Sequence, residues 1–517
     1  MVWPTGKGED LLFKLLIVVV YVALMLGIGY YCMRRTRTVS DFFLAGRNLG
    51  PWMSAFAYGT SYFSAVLFVG YAGRLGWGFG LNALWIAAGN VLFGSILAWW
   101  IFAGPTRRMT ARLDALTMPE FLGARFGSPF LKFASALVIF VFLVPYSASV
   151  YQGLSLLFEK NLGIPYGLAV GFLAFLTGVY LVMGGYLALA VTDFLRGIIE
   201  LAGVVVMVLF LVHLGGGMSA AVSTLSKPEM APALSAPGPF PGWVVLWSLV
   251  FVTSFGPWGL PQMVQKFYSI KSEADVKRAM VVASAFALVL SFGAYFTGAL
   301  THLFYYAPVE GVPAPAGMTP VPANLDDLMP HFLTHYVPAW VSMVILLLVF
   351  SASMSSLSSL VLVSSSAIAV DLYAGLRKDA SKESVMLLMR VLCGVFVAIS
   401  LLMALKKVDF IVNLMVISWG ALAGAFLAPY CFGLFWKRTS KAGAIAGMLS
   451  GLATMVLIYA KYGGVGVPVA GAAGMVVPVI VVPLVSLLTP PPDREILDRA
   501  FGEAVEPTAP EPEMVEV

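Results

Sequence analysis

The chain has 517 residues, 60% of them hydrophobic and only 11% charged, against the roughly 25% charge usual in soluble proteins. That balance excludes a large water-exposed domain and points into the bilayer. The net charge of +5 resides in short connections between apolar runs, which argues for membrane topology and not for a nucleic-acid partner.

Apolar stretches near the length of a membrane crossing recur from Leu11 almost to Pro490. They predict an all-α integral membrane protein of thirteen helices, at 11–33, 51–76, 81–104, 130–158, 165–185, 189–214, 241–266, 277–305, 337–372, 386–404, 410–434, 441–460 and 471–489. The first ends in "CMRRTRT" without a small-residue cleavage site, so it reads as a retained helix and not a signal peptide. The cysteines Cys32, Cys393 and Cys431 lie in or near apolar runs with no ligand spacing, which suggests buried thiols.

Lys and Arg orient the spans. The connections "MRRTRTVSDFFLAGR", "PTRRMTARLDALTMPEFLGARF", "KFYSIKSEADVKR", "GLRKDASKES" and "KRTSK" are basic, whereas 306–335 has no Lys or Arg and 215–240 only Lys227. A cell-membrane protein with its N-terminus outside and C-terminus cytoplasmic follows. The Pro-rich outer connections 215–240 and 306–335 are expected to cap a vestibule or simply to cover helix ends. The acidic segment 490–517 is expected to be a mobile tail.

The second span, "GPWMSAFAYGTSYFSAVLFVGYAG", places Gly59, Thr60, Ser61 and Ser64 at mid-membrane depth. Glycine weakens a helix interior by roughly 1 kcal/mol relative to Ala, and a carbonyl freed in lipid needs protein, water or an ion. The seventh span carries a matching interruption, "TSFGPWGLPQ", where Pro257 and Pro261 each remove a donor. Interrupted spans five helices apart run in opposite directions, the pattern of an inverted repeat with a central site. Close helix packing is the competing use of such small residues.

In the ninth span "FSASMSSLSSLVLVSSSAIAVDLY" holds nine serines. Ser355 and Ser358, and Ser356 and Ser359, are three apart and so share helix faces, giving two columns of hydroxyl oxygens suited to a small hard cation. Back-bonding to the preceding turn is the alternative for each serine. Asp193, in "YLALAVTDFLRG", either ends an ion path, caps the following helix or pairs with Arg196.

These segments resemble the sodium/solute symporter family. The pieces that carry the resemblance are "DFFLAGRNLGPW", "MGGYLALAVTDFLRG", "PWGLPQMVQKFYSIKS" and the serine run, and the likeness spans nearly all of 11–489. It implies sodium-driven uptake by alternating access through two inverted five-helix repeats, about 51–214 and 241–434. These would follow an N-terminal unit, 1–50, and precede two further helices within 435–489. By position it places a main sodium site on the carbonyls of Thr60, Phe63 and Ala352 with the hydroxyls of Ser355 and Ser356. A second sodium site would use Asp193, Ser355, Ser358 and Ser359.

Proline-carrying members look like "GASDMSGW" where this chain has "GTSYFSAV". Tyr62 thus stands for an aspartate, and Thr253 and Pro257 stand for a tryptophan and a tyrosine. The pattern is closer to branches carrying pantothenate or short carboxylates. Tyr62, Ser64, Tyr146, Tyr151, Gln152, Trp258 and Gln262 are the substrate-facing candidates.

The expected partners are therefore sodium, a small organic solute and membrane lipid, with no obligatory protein partner. A proton-coupled carrier of the same fold is the alternative and would want a carboxylate at the ion site. Sodium/proline and sodium/sugar symport are further alternatives. An enzyme fits worst, because the four histidines form no metal-binding pattern and no phosphate-cradling glycine loop with lysine occurs.

Overall fold

The computed structural model describes residues 7–33, 44–308, 313–315, 317–377 and 381–502, except the side chains of 7–11, 180–185 and 382. Among them ten helical runs are long and apolar enough to cross a membrane. Leucines and valines such as Leu12, Leu209, Leu387 and Leu457 point outward along these runs, as lipid-facing residues do.

The order is α1 (Lys7–Met33), α2 (Pro51–Tyr62), α3 (Val66–Leu75), α4 (helical throughout 84–112), α5 (Pro129–Leu162) and α6 (Tyr166–Leu214). There follow α7 (Gly242–Phe255), α8 (Pro261–Ser269), α9 (Glu273–Leu300), α10 (Ala339–Ser366), α11 (Lys382–Lys406), α12 (Ile411–Phe435), α13 (Lys441–Tyr462) and α14 (Val467–Leu488). Two residues each from 305–306 and 319–320 pair as a short parallel ribbon in the connection after α9.

The difference between ten runs and thirteen expected spans has local causes. Two of the runs, 66–112 and 441–488, each join two helices through a tight turn, at Gly80–Ala83 and Gly463–Gly466, where Gly80 (φ +54°) and Gly463 (φ +61°) break the helical path. The loop expected near 186–188 is absent, since "YLALAVTD" contains no helix breaker and the chain is helical from Tyr166 to Leu214.

Both expected interruptions occur. Phe63 is extended (φ −113°, ψ 118°) between α2 and α3, so the second span unwinds at Phe63–Ser64. The seventh unwinds between α7 and α8, over the short turn Gly256–Trp258 and on to Leu260. Gly59 is not the break. It lies inside α2, where an added Cβ would stand 2.4 Å from the Phe286 ring, so its use is close packing against α9.

The α3 half of the broken second span is held from several sides. Gly298 of α9 meets α3 backbone to backbone, an added Cβ there lying 1.8 Å from the Ala72 carbonyl. The 215–240 connection touches the same region, Met230 O lying 2.3 Å from the position a Cβ would take on Gly80, whose φ is +54°. That connection therefore covers the end of this half-helix.

At the opposite end, Arg125 is fully buried and donates to the carbonyls of Gly433 (2.7 Å) and Trp436 (3.2 Å), satisfying the terminus of α12. The segment after α14 is not wholly a loose tail. Arg494–Phe501 is helical, and Ala500 O accepts from Arg112 (3.3 Å) while Arg499 donates to Leu113 O (3.4 Å). The remainder, from 503, lies outside the described residues.

Candidate functional site

Where α2 unwinds, the serine face of α10 crosses it. Ser355 Oγ donates to Thr60 Oγ1 at 2.9 Å, and Thr60 Oγ1 donates in turn to Phe56 O at 2.9 Å. Ser356 Oγ is 3.4 Å from Thr60 O, a long contact. Ser61 Oγ and Ser359 Oγ are 3.1 Å apart. Hydroxyls three and four residues apart on one helix thus meet the broken span in a buried seam. Phe63 and Ala352 are buried in the same elements.

The residues expected to form a second ion site are engaged differently. Ser358 bonds back to Met354 O at 2.7 Å, the alternative held open for such serines. Ser359 also accepts from Lys266 Nζ at 3.3 Å. Asp193 lies inside α6, so it is not a helix cap, and Arg196 Nη1 stands 3.5 Å from its Oδ1. Glu200, one turn beyond Arg196, is fully buried as well.

A cavity with about 270 Å³ of empty space adjoins the break, lined by Tyr62, Phe63, Ser64, Leu67, Tyr71, Asn90, Thr253, Tyr295, Met415 and Trp419. Tyr62 stacks on Phe63 (4.5 Å between centroids) and on Trp419 (6.0 Å), and its hydroxyl donates to Thr253 O at 2.7 Å. Tyr146 packs edge-on to Trp419 at 5.9 Å.

Of the expected substrate-facing residues, Tyr62 and Ser64 therefore line the cavity, and Tyr146 stands behind it. Trp258 is a packing residue among Phe102 and Phe255, with its indole donating to Phe93 O at 2.9 Å. Gln152 donates to Asp409 O at 3.4 Å, and Tyr151 and Gln262 are buried away from the lining. Asn90, Tyr295, Met415 and Trp419 were not anticipated. They arrive from α4, α9 and α12, and α12 is apolar all round, which leaves no facet to read.

One turn beyond the cavity, towards the 306–335 connection, the path is shut. A Cβ on Gly70 would stand 2.8 Å from Ile411, and the Arg74 guanidinium lies 3.5 Å over the Phe410 ring. Arg74 also faces Asp326 at 3.9 Å, and Asp326 accepts from the Ile411 N–H at 3.0 Å. Burial pushes the Asp326 carboxyl above its ordinary range, with Ile411 and Arg74 opposing.

The sequence model described as "Sodium:solute symporter family" matches residues 42–451. The chain belongs to that family. Among similar proteins, the high-affinity proline transporter PutP of Bacillus subtilis is 30% identical over 92% of this chain and 98% of its own length. The sodium/proline symporter of Salmonella typhimurium is 30% identical over 86% and 87%.

The fold of the symporter matches a substrate-bound, outward-open Na+-coupled sialic acid symporter with a TM-score of 0.75 at 19% identity, covering 93% of this chain and 98% of that one. Mhp1, a nucleobase-cation-symport-1 family transporter in a closed conformation, follows at a TM-score of 0.55, 14% identity and 90% coverage of this chain. The symporter is thus a multi-pass, all-α membrane transporter, sodium-coupled and carrying a small organic solute, and not an enzyme.

Proposed function

We propose that sodium binds where α10 crosses the break in α2, held by the carbonyls of Thr60, Phe63 and Ala352 and the hydroxyls of Ser355 and Ser356. The observation that carries this is the convergence of both hydroxyls on Thr60, at 2.9 Å and 3.4 Å. Neutral oxygens suit sodium, whereas a proton would need a titratable group in that shell.

The solute sits in the adjoining cavity against Tyr62, Ser64 and Trp419. The cavity is tight and half of its lining is aromatic, Tyr62, Phe63, Tyr71, Tyr295 and Trp419, which favours a small solute. None of its lining residues is charged, so a solute carboxylate draws its countercharge from the nearby sodium. A small carboxylate or amino-acid-like compound fits that chemistry. Proline is the second reading, favoured by the named specificity of relatives at 30% identity.

In this reading the core comprises two inverted five-helix repeats, about 51–214 and 241–434, each opening on an interrupted span. They belong to a thirteen-span plan in the cell membrane. The 215–240 and 306–335 connections and the Arg74–Asp326 contact then lie outside, and the C-terminus inside. The site is closed to the exterior in this conformation.

Uptake into proteoliposomes under an inward sodium gradient tests the reading, over a panel of proline, other amino acids, short carboxylates, pantothenate and sugars. Sodium-dependent accumulation of one class is expected. Equal uptake with external potassium and only a pH gradient would overturn the sodium assignment.

A further inference from the structure

The residues expected to hold a second sodium ion already face a cation that belongs to the chain. Lys266, on α8 beyond the break in the seventh span, is 1% exposed. Its Nζ donates to Ser359 Oγ at 3.3 Å, and the same hydroxyl is 3.1 Å from Ser61 Oγ of the broken second span. Lys266 lies within electrostatic reach of Asp193, and its Nζ is 4.9 Å from the centroid of the Tyr186 ring. Arg196 stands 3.5 Å from Asp193 on the other side. Ser358 is committed to its own helix, and Ser355 donates to Thr60 while also interacting with Asp193.

We infer that the Lys266 ammonium is a tethered substitute for a second sodium ion. It ties the broken α2 and the serine face of α10 to α6 through the Ser61 and Ser359 hydroxyls and the Tyr186 ring, with Asp193 in electrostatic reach. An ammonium and a sodium ion carry the same charge, and a low-dielectric pocket whose carboxylate already faces Arg196 and Lys266 does not hold a further cation. The protein therefore couples solute movement to one sodium ion, the one at Thr60, Ser355 and Ser356. This inference rests on that proposed main site.

The test is equilibrium binding of radiolabelled sodium to the purified full-length protein, with bound ions counted per chain. Wild type is expected to bind one sodium, held at least about ten-fold more weakly in Ser356→Ala and unchanged in Asp193→Asn. Lys266→Gln vacates the pocket and is expected to raise the count from one to two, with the second ion lost again in Lys266→Gln/Asp193→Asn. Lys266→Arg keeps the charge and is expected to remain at one.

Two ions in wild type, one of them lost in Asp193→Asn, would overturn the inference while leaving the main site intact. So would a folded Lys266→Gln protein that still binds one. A single wild-type ion bound as tightly in Ser356→Ala would instead overturn the main site. If Lys266→Gln does not fold, the wild-type and Asp193→Asn counts still decide.

Discussion

Replacing Ser356 with Ala separates an ion ligand from a packing hydroxyl. The side chain is 1% exposed, and its hydroxyl makes a 3.4 Å contact with Thr60 O and also faces Tyr146. As a protein-to-protein hydrogen bond that contact is worth about 1 kcal/mol or less. As a ligand to a cation it falls among bonds to charged groups, about 1.5–3 kcal/mol. At about 1.4 kcal/mol per decade that is roughly a ten- to hundred-fold weakening of sodium binding. Ser353→Ala is the matched control, since Ser353 Oγ bonds back to Val349 O at 2.5 Å on the same helix. Sodium titrations of both variants at equal folded concentration, with thermal melts alongside, distinguish the two roles. Ser356→Ala should move the sodium curve by at least about ten-fold, in the range set by a charged bond, and Ser353→Ala should leave it in place. Superimposable sodium curves would refute the placement of the ion at Ser356.

Asp326 should make closure pH-dependent. Its raised carboxyl binds a proton more tightly when it is buried against Arg74 and Ile411 than in an open state near the ordinary value of about 3.9, so closure is favoured fully below that value and loses the contribution as pH rises through the raised one. Spin-label distances between Val408→Cys and Ser226→Cys should shorten on acidification, and Asp326→Asn should abolish the shift. Gly298→Ala should fail to fold or lose roughly 1–3 kcal/mol, because its Cβ would meet backbone 1.8 Å away and no side-chain rotation relieves that clash. Arg125→Met leaves the Gly433 carbonyl without its Arg125 donor, while Trp436 O keeps the N–H and hydroxyl of Thr439, and should cost about 1–3 kcal/mol, read as a lower melting temperature in detergent.

The serine face was legible because spacing alone places Ser355 and Ser356 on a helix surface, and the structure turns that surface to the broken span. The two interruptions were legible from Gly and Pro, but their positions less so. Gly59 and Ser64 carry the same signal in the sequence, yet one packs against Phe286 and the other follows the extended Phe63. Lys266 was read as the start of a basic connection, because a lysine beside "SIKSEADVKR" looks like a topology signal. Only the return of the chain after Leu260 carries it inside to Ser359. Trp419 and Tyr295 were invisible for a different reason. Their place in the cavity depends on contacts between helices more than a hundred residues apart, which no local period encodes.

The buried charges on α6 and α8 bear on how the symporter feels the membrane voltage. Asp193 and Glu200 are offset in formal charge by Arg196 and Lys266, all four shielded from solvent. Moving one elementary charge across the bilayer field is worth about 2.3 kcal/mol per 100 mV. A neutral quartet that shifts as a unit contributes nothing to that work, so the voltage acts on the sodium ion and on any net charge of the solute. If one sodium ion is coupled, as proposed, each turnover with a zwitterionic solute moves a single positive charge, and the membrane potential acts on transport through that charge.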